Sequence, residues 1–436
     1  MMSVDTKWTF DEKYVKEYSQ RRGEPEWLTE ERLLAVRLAE KLELPKPEKT
    51  NIKTWNFTSF KHDVTGDYGE LKREELPEEV RVLLDRASEG ENILVLRDGK
   101  LVYRSISERL KEQGVLFVDI ETAAKEHGDL LKQYFMSHAV DVDENKLTAH
   151  HVALMNGGVF VYVPKNVEME EPLQTIYWQE DPEAAIFNHV TVVAEDNSQV
   201  TYLENYVSFS EQDAVANIIS EVYAKPGANI SYGGVDHFEK GMTTSVIRRG
   251  YAEKDATIKW ALGQMNEGNT LSDNTTILKG DGANADAKAV SVGRGKQSQN
   301  FLTHIVHHGK HTDGQILTHA VMKDEASSIF NGVSKIEKGA TKSNGEQTER
   351  VLMLSERARG DANPILLIDE DDVTAGHAAS VGQIDPMQMF YLMSRGISEK
   401  EAERLIIHGF LAPVVDQLPL QAVRERLTEV IERKVQ

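Results

Sequence analysis

The sequence contains no cysteine. The chain therefore forms no disulfide, has no thiolate nucleophile and cannot build a zinc site from cysteine ligands. It cannot carry a persulfide, and it cannot hold a four-thiolate metal cluster alone, because such clusters are held by cysteine sulfur. Any thiolate ligand of a metal cluster that this protein helps to build must come from another chain.

Long apolar runs and an excess of basic residues are also missing. No uninterrupted apolar segment approaches the roughly 20 residues that a membrane-spanning helix needs. The N-terminal residues lack the apolar stretch of a signal peptide, so we expect a cytoplasmic protein without a membrane partner. The formal net charge is −21, which argues against a nucleic-acid partner because phosphate binding relies on clustered lysine and arginine. We interpret the acidic surface as serving solubility or docking to a basic partner.

Residues from about 158 to 383 contain an internal repeat of short strands and polar turns. Each copy has the end of one strand, an alanine, a polar turn and a residue that begins the next strand. The three clearest copies lie at 192–200, 222–230 and 250–258, with Ala194, Ala224 and Ala252 at equivalent positions. Looser copies at 280–287 and 309–316 give strand starts at 200, 230, 258, 287 and 316, a spacing of roughly 29 residues.

A fixed period with no helical pattern between the strands predicts a mainly β protein with a solenoid core. We expect a right-handed parallel β-helix or flattened β-solenoid over 158–383, in which the alanines of successive coils stack on one another. An ordinary β-sandwich, with chance similarity between the copies, is the alternative.

The segments on either side of the repeat have a different character. Residues 1–157 are interpreted as an N-terminal helical and mixed α/β region, in which Thr29 is expected to cap a helix and 130–138 to be helical. Residues 384–436 are interpreted as a C-terminal helical domain, with Asp385 and Ser398 capping two helices and a third helix over 420–435. We expect these helices to cap the end of the solenoid and to dock a partner.

The sequence contains no Walker A loop, and its single dinucleotide-type match lacks the required context. Gly295-Lys296 is followed by Gln297 and lacks the upstream glycine spacing of a Walker A loop, so we expect that this chain binds no ATP. Residues 280–285 fit G-x-G-x-x-A, but no helical pattern follows, as a dinucleotide site would require.

Five histidines lie close together in the sequence. They are His304, His307, His308, His311 and His319. Neutral imidazoles bind iron, zinc or copper, but only a helix would bring the first four to one face. We expect strand and turn here, where alternate residues point in opposite directions. Structural or surface histidines are therefore favoured, with a metal site at His307 and His308 as the weaker alternative.

The most informative stretch is Pro364 to Gly382, at the end of the repeat. An apolar strand leads into an acidic turn with Asp371 and Asp372, and then into a run of small residues with one histidine, His377. The stretch resembles the pattern P-x-L-x-I-x-x-D-D-V-x-C-x-H-G-A-[TS]-V-G of the SufB/SufD family, the scaffold subunits of the SUF iron–sulfur cluster assembly machine. Two further stretches fit this family, 23–28 (G-x-P-x-W-[LM]) and 328–336 (S-x-x-[YF]-x-G-x-x-x-I).

Two departures from the family pattern bear on function. Ala375 stands at the cysteine position and Ala378 at the glycine position. The family's SufB-type chains carry the cysteine thought to receive sulfur, so this chain resembles the SufD type more closely. Ala375 also weakens any expectation that this strand contributes sulfur.

The resemblance implies a non-catalytic scaffold subunit that works with two partners, a SufB-like subunit and a SufC-like ABC ATPase. It implies a transient iron–sulfur cluster at the SufB–SufD interface, with the thiolate supplied by SufB, and reduced flavin is associated with some such complexes. By resemblance, the SufC contact lies on the C-terminal helices, at about 385–435, and the SufB contact lies at the end of the β-helix.

His377 is the candidate metal ligand at this junction. Its small neighbours would leave the imidazole accessible, and an open edge strand at the end of a solenoid can pair with another β-strand. Asp371 and Asp372 would either orient the imidazole or form the sharp turn, and the turn role is favoured.

Three other functions remain as alternatives. The first is a SufB-type scaffold, the second is a homodimeric scaffold that acts alone, and the third is a β-helix enzyme that acts on polysaccharides. The net charge of −21 disfavours the enzyme, because the usual substrates of such enzymes are themselves acidic.

Overall fold

The computed structural model describes residues 10–62, 68–85, 92–209, 211, 213–417 and 421–435. The helices in these residues are α1 (Glu12–Arg22), α2 (Glu26–Ala39), α3 (Glu78–Asp85), α4 (Glu108–Glu112), α5 (Ile120–Glu126), α6 (Gly128–Leu131), α7 (Lys146–Leu154), α8 (Pro386–Ser394), α9 (Glu399–Val415) and α10 (Gln421–Val435). No helix in these ranges is both long enough and apolar enough to cross a membrane.

Strands make up most of the rest. They are β1 (Asn92–Arg97), β2 (Lys100–Ser105), β3 (Leu116–Asp119), β4 (Gly157–Val163), β5 (Leu173–Gln179), β6 (Ile186–Ala194), β7 (Gln199–Ser208), β8 (Ala214–Ala224), β9 (Asn229–His237), β10 (Met242–Ala252), β11 (Thr257–Gln264), β12 (Thr270–Leu278), β13 (Asn284–Gly293), β14 (Ser298–His307), β15 (Asp313–Met322), β16 (Ser327–Ile336), β17 (Asn344–Met353), β18 (Arg359–Ile368) and β19 (Thr374–Gln383).

The strands form two facing sheets. The odd-numbered strands from β5 to β19, with β1 and β2, form the first sheet, and the even-numbered strands from β4 to β18, with β3, form the second. From β4 and β5 onward each strand pairs in parallel with the strand two further along the chain. Each coil thus adds one strand to each sheet, which confirms the predicted β-solenoid. The pairs β1–β2 and β3–β4 are antiparallel and extend the two sheets at the N-terminal end.

The register confirms the alanine stack and corrects two strand starts. Ala224 pairs with both Ala194 and Ala252. Ile258, however, pairs with Ala285, which in turn pairs with Gly314, so the predicted starts at 287 and 316 lie two residues too late. Position 314 needs a small residue because a Cβ at Gly314 would lie 2.7 Å from His307 Nε2 inside the coil.

A buried ionic cluster lies between the sheets. The guanidinium of Arg248 donates to Glu204 Oε1 from Nη2 at 2.8 Å and to Asp236 Oδ1 from Nη2 at 2.7 Å. All three side chains are almost fully buried. Burial is the main reason that the pKa of Glu204 is raised above its ordinary value, even with the guanidinium bonded to it. This part of the interior therefore combines an aliphatic and aromatic core with one guanidinium that bonds two carboxylates.

Two predictions for the N-terminal region are wrong. The second helix begins at Glu26 with Pro25 at its N-cap, and Thr29 lies inside the helix, where its hydroxyl donates to the Pro25 carbonyl. The helical pattern over 130–138 ends at Leu131. The backbone N–H groups of Met136 and Val140 donate to the Glu221 carboxylate instead of to helical carbonyls.

The C-terminal helices have the predicted caps but not the predicted position. Asp385 and Ser398 cap α8 and α9 through their side chains, while Leu420 lies outside the described residues. The helices α9 and α10 do not cover the end of the solenoid. They pack on the outward face of the first sheet, where Leu427 fits so closely over Gly263 that a Cβ there would lie 2.0 Å from its Cδ2. The helices thus cover an apolar sheet face, and the last coil, β18 and β19, remains open.

Candidate functional site

His377 lies on the last strand of the solenoid. In the described part of the chain, β19 pairs with β17 alone, and its other edge is open. His377 is aligned with Gln347 of β17 and is exposed, as are Ala378 and Ala379 beside it. By strand alternation His377 has the same inward register as Gln347, so it would be an interior residue if another coil followed. The open end of the solenoid is what makes the imidazole accessible.

Asp371 and Asp372 lie in the turn between β18 and β19. The carboxylate of Asp372 bonds Lys342 Nζ at 2.8 Å, and its carbonyl accepts from the Lys342 N–H. Asp371 is fully exposed, with its nearest cation at 3.9 Å on Lys338. Both carboxylates thus lie next to lysines in the turn of the coil below, an arrangement that supports the turn role.

His307 and His308 do not form a common site. His307 is buried between the sheets, where its Nδ1 lies 2.8 Å from Thr312 Oγ1 and burial lowers its pKa to about 4. His308 is exposed and lies directly after the end of β14. No three His, Asp or Glu side chains in the described residues come together as a metal site.

Sequence reasoning missed two polar residues directly beneath the open coil. Gln347 and Glu349 are both 2% exposed and have the inward register of β17. Gln347 Nε2 donates to the Ile365 carbonyl across the interior at 3.2 Å. Burial raises the pKa of Glu349 to about 7. In the structure, alternation along β17 places 345, 347, 349 and 351 inside, but polar residues occupy both faces of the strand in the sequence, so no apolar pattern marked them.

An apolar surface is exposed on α8, directly after the last strand. None of the residues of α8 is buried. The exposed fractions are 69% for Met387, 65% for Phe390, 54% for Tyr391 and 43% for Met393. A contiguous patch of large apolar side chains on a helix is typical of a protein–protein contact.

Two family profiles match almost the whole chain. The SufBD protein N-terminal region matches residues 12–175. The profile of the SufBD core domain, described as SUF system FeS cluster assembly, matches residues 177–410.

Individual relatives match over similar lengths. The chain is 56% identical to the iron–sulfur cluster assembly protein SufD of Bacillus subtilis over 436 residues, which is the full length of both. It is 26% identical over 423 residues to an iron–sulfur cluster assembly SufBD family protein of Staphylococcus haemolyticus, covering 94% of this chain and 90% of the relative. A Staphylococcus aureus protein of the same description matches with the same identity and coverage. The chain therefore belongs to the SufB/SufD family and is most like SufD.

Proposed function

We propose that this chain is the SufD-like scaffold subunit of a SUF iron–sulfur cluster assembly complex. In this proposal it pairs with a SufB-like subunit through the open last coil and docks a SufC-like ABC ATPase through its C-terminal helices, in the cytoplasm. The observation that carries the proposal is the uncovered strand β19 with His377 exposed on it, in a chain 56% identical to a SufD over its full length.

The open edge supports pairing with a partner solenoid. An edge strand presents a row of backbone N–H and C=O groups that can bond another strand. The last coil also exposes apolar side chains that a partner coil would cover, since Leu367, Ile368 and Val381 are 45%, 38% and 43% exposed. A SufB-like chain ending in a similar coil would continue both sheets across the junction.

The chemistry at such a junction would be shared between the chains. This chain has no cysteine, so the thiolates of a transient cluster would come from the SufB-like subunit. His377 would contribute one imidazole to the iron of the nascent cluster, because neutral imidazole is a good ligand for iron. This chain would then act as a scaffold and a partial ligand set, and ATP hydrolysis would belong to the ATPase.

We expect His377→Ala to lower the iron and sulfide bound by the complex about 10-fold without preventing assembly. The substitution removes a ligand on an exposed strand, so the fold and the backbone pairing are unaffected. The measurement is iron and sulfide content after anaerobic reconstitution of the chain co-expressed with SufB-type and SufC-type partners. His308→Ala, a second exposed histidine on an earlier coil, is the matched control. Unchanged iron and sulfide in an intact complex would remove His377 from the junction chemistry.

We expect Phe390→Asp to weaken ATPase docking at least about 10-fold. In the complex, the substitution would bury a carboxylate where an aromatic side chain at the centre of the α8 face should anchor the contact. The isolated chain loses no core contact, because no residue of α8 is buried in it. The measurement is the affinity of the chain for a SufC-type ATPase, with thermal unfolding recorded in parallel. Gln388→Asp adds the same charge to the same helix and should have a smaller effect. Equal affinities for the wild type and Phe390→Asp would exclude α8 as the docking face.

A further inference from the structure

Two buried side-chain oxygens lie without hydrogen-bond partners one coil below the open end. Among the described residues, Glu349 Oε2 and Gln347 Oε1 find no donor. The amide of Gln347 is held by its bond to the Ile365 carbonyl, so its oxygen is the end left free. A buried acceptor without a donor is costly, and native structures supply such groups with a water, a proton or an ion.

The two side chains converge on one point of the interior. A Cβ built on Gly332 of the opposite sheet would lie 2.4 Å from Glu349 Oε1 and 3.0 Å from Gln347 Oε1. Glycine at 332 therefore leaves room for the Oε1 atoms of both side chains, and the unpartnered Oε2 belongs to the same Glu349 carboxylate. Two acceptors that point at the same space repel each other unless something positive lies between them.

This space lies close to the open end of the solenoid. In the last coil, Ala379 is aligned with Glu349, and His377 is aligned with Gln347. Ala379 is exposed, and its methyl group is a thin cover. Neighbouring strands are about 4.8 Å apart, so the converging oxygens lie a single strand spacing beneath the layer of His377.

We propose that Glu349 and Gln347 bind one divalent cation as oxygen ligands of a holding site that opens toward His377. Carboxylate and amide oxygens favour hard divalent cations such as Mg²⁺ and Mn²⁺, and they also bind Fe²⁺. Identification of the natural cation as ferrous iron rests on the proposed function, in which iron is the cargo delivered to the junction. The cation site itself rests only on the residues of this chain.

A proton shared between the two side chains is the competing occupant. Burial raises the pKa of Glu349 to about 7, so a proton and a cation compete for the carboxylate near neutral pH. The groups facing it from the neighbouring strands are Gly332 of β16, Pro364 of β18, Thr318 of β15 and Ala379 of β19, and none of them titrates. His377, aligned with Gln347, is the nearest titratable residue of the last coil by register.

Titration of the metal-free full-length chain with Fe²⁺ under anaerobic conditions tests the site. Isothermal titration calorimetry at about pH 7.5 should show one bound ion, and Mn²⁺ serves as a probe that is not oxidised. Glu349→Gln and Gln347→Leu should each weaken binding at least about 10-fold. Glu346→Gln removes a carboxylate from the exposed face of the same strand and should leave the affinity unchanged.

Two results would overturn the cation site. A wild-type chain that binds neither ion, or a Glu349→Gln chain that binds as tightly as the wild type, means that the oxygens share a proton instead. Gly332→Ala should weaken binding because its methyl group occupies the space, and if that variant does not fold, the strand β17 variants decide the question alone.

The outcome is separable from that of the proposed function. The titration uses no partner chain, and His377→Ala should bind Fe²⁺ with wild-type affinity. A chain that binds iron but does not assemble with SufB-type and SufC-type partners contradicts the proposed function and keeps the site. A chain that assembles with its partners but binds no cation when alone contradicts the site only.

Discussion

Replacing Arg248 by methionine is expected to lower the free energy of unfolding by about 3–5 kcal/mol. The guanidinium makes four hydrogen bonds of 2.7 to 3.1 Å to Glu204 and Asp236, and all three groups lie inside the solenoid. Methionine fills a similar volume but leaves two buried carboxylates next to each other with no cation between them. Urea unfolding followed by circular dichroism measures the loss.

A surface pair provides the control for Arg248→Met. Arg359 bonds Asp361 at 2.7 Å in an exposed position, so Arg359→Met should cost less than about 1 kcal/mol. Replacing Arg248, Glu204 and Asp236 together by apolar residues should recover most of the stability, because no buried charge remains. If the single Arg248 variant is no less stable than the Arg359 variant, the three groups do not form an essential ionic cluster.

Replacing Glu349 by glutamine is expected to stabilise the metal-free chain increasingly as pH rises, by about 2–3 kcal/mol between pH 5 and pH 8. The pKa of Glu349 is raised from 4.5 to about 7 in the folded chain. Between these values the folded wild type keeps a proton that the unfolded chain has released. Wild-type stability therefore falls as pH rises through this window and levels off above it. Glutamine has no charge to bury, and its amide can donate to Gln347 Oε1.

Urea unfolding in a chelating buffer at about pH 5 and about pH 8 measures this difference. Glu346→Gln, on the exposed face of the strand, should track the wild type at both pH values. Mn²⁺ should narrow the gap at the higher pH, because a ligand that binds only the folded wild type stabilises it alone. A gap of the same size at both pH values would show that the carboxyl group of Glu349 does not titrate near neutrality in the folded chain.

The solenoid was predictable because its cause is local. Ala194, Ala224 and Ala252 end successive strands of the second sheet, and the polar turns after them recur in the sequence itself. The register at Gly314 was not predictable, because an aliphatic residue two positions later matched the repeat better. At Gly314 the His307 side chain fills the space inside the coil, a contact that no periodicity displays.

The position of the C-terminal helices depends on contacts between distant parts of the chain. Amphipathic spacing showed that α10 has an apolar face, but not which surface covers it. Leu427 packs on Gly263, more than a hundred residues earlier in the sequence. The residues of the candidate site also differ in whether a local sequence pattern or the three-dimensional fold identifies them. His377 was identified through a signature, whereas no sequence pattern marked Glu349, which only the strand register places inside.

The connection between the last strand and α8 determines how the open coil responds to force. β19 ends at Gln383, α8 begins at Pro386, and β19 is hydrogen-bonded along one edge, to β17. A force that pulls α8 away from the solenoid therefore acts on the C-terminal end of β19. The hydrogen bonds between β19 and β17 then break one after another from that end. Peeling starts at the pair of Gln383 with Met353 and reaches Ala379 before His377. A small displacement would thus uncover Glu349 while the imidazole is still in place, and only a larger one would release the histidine.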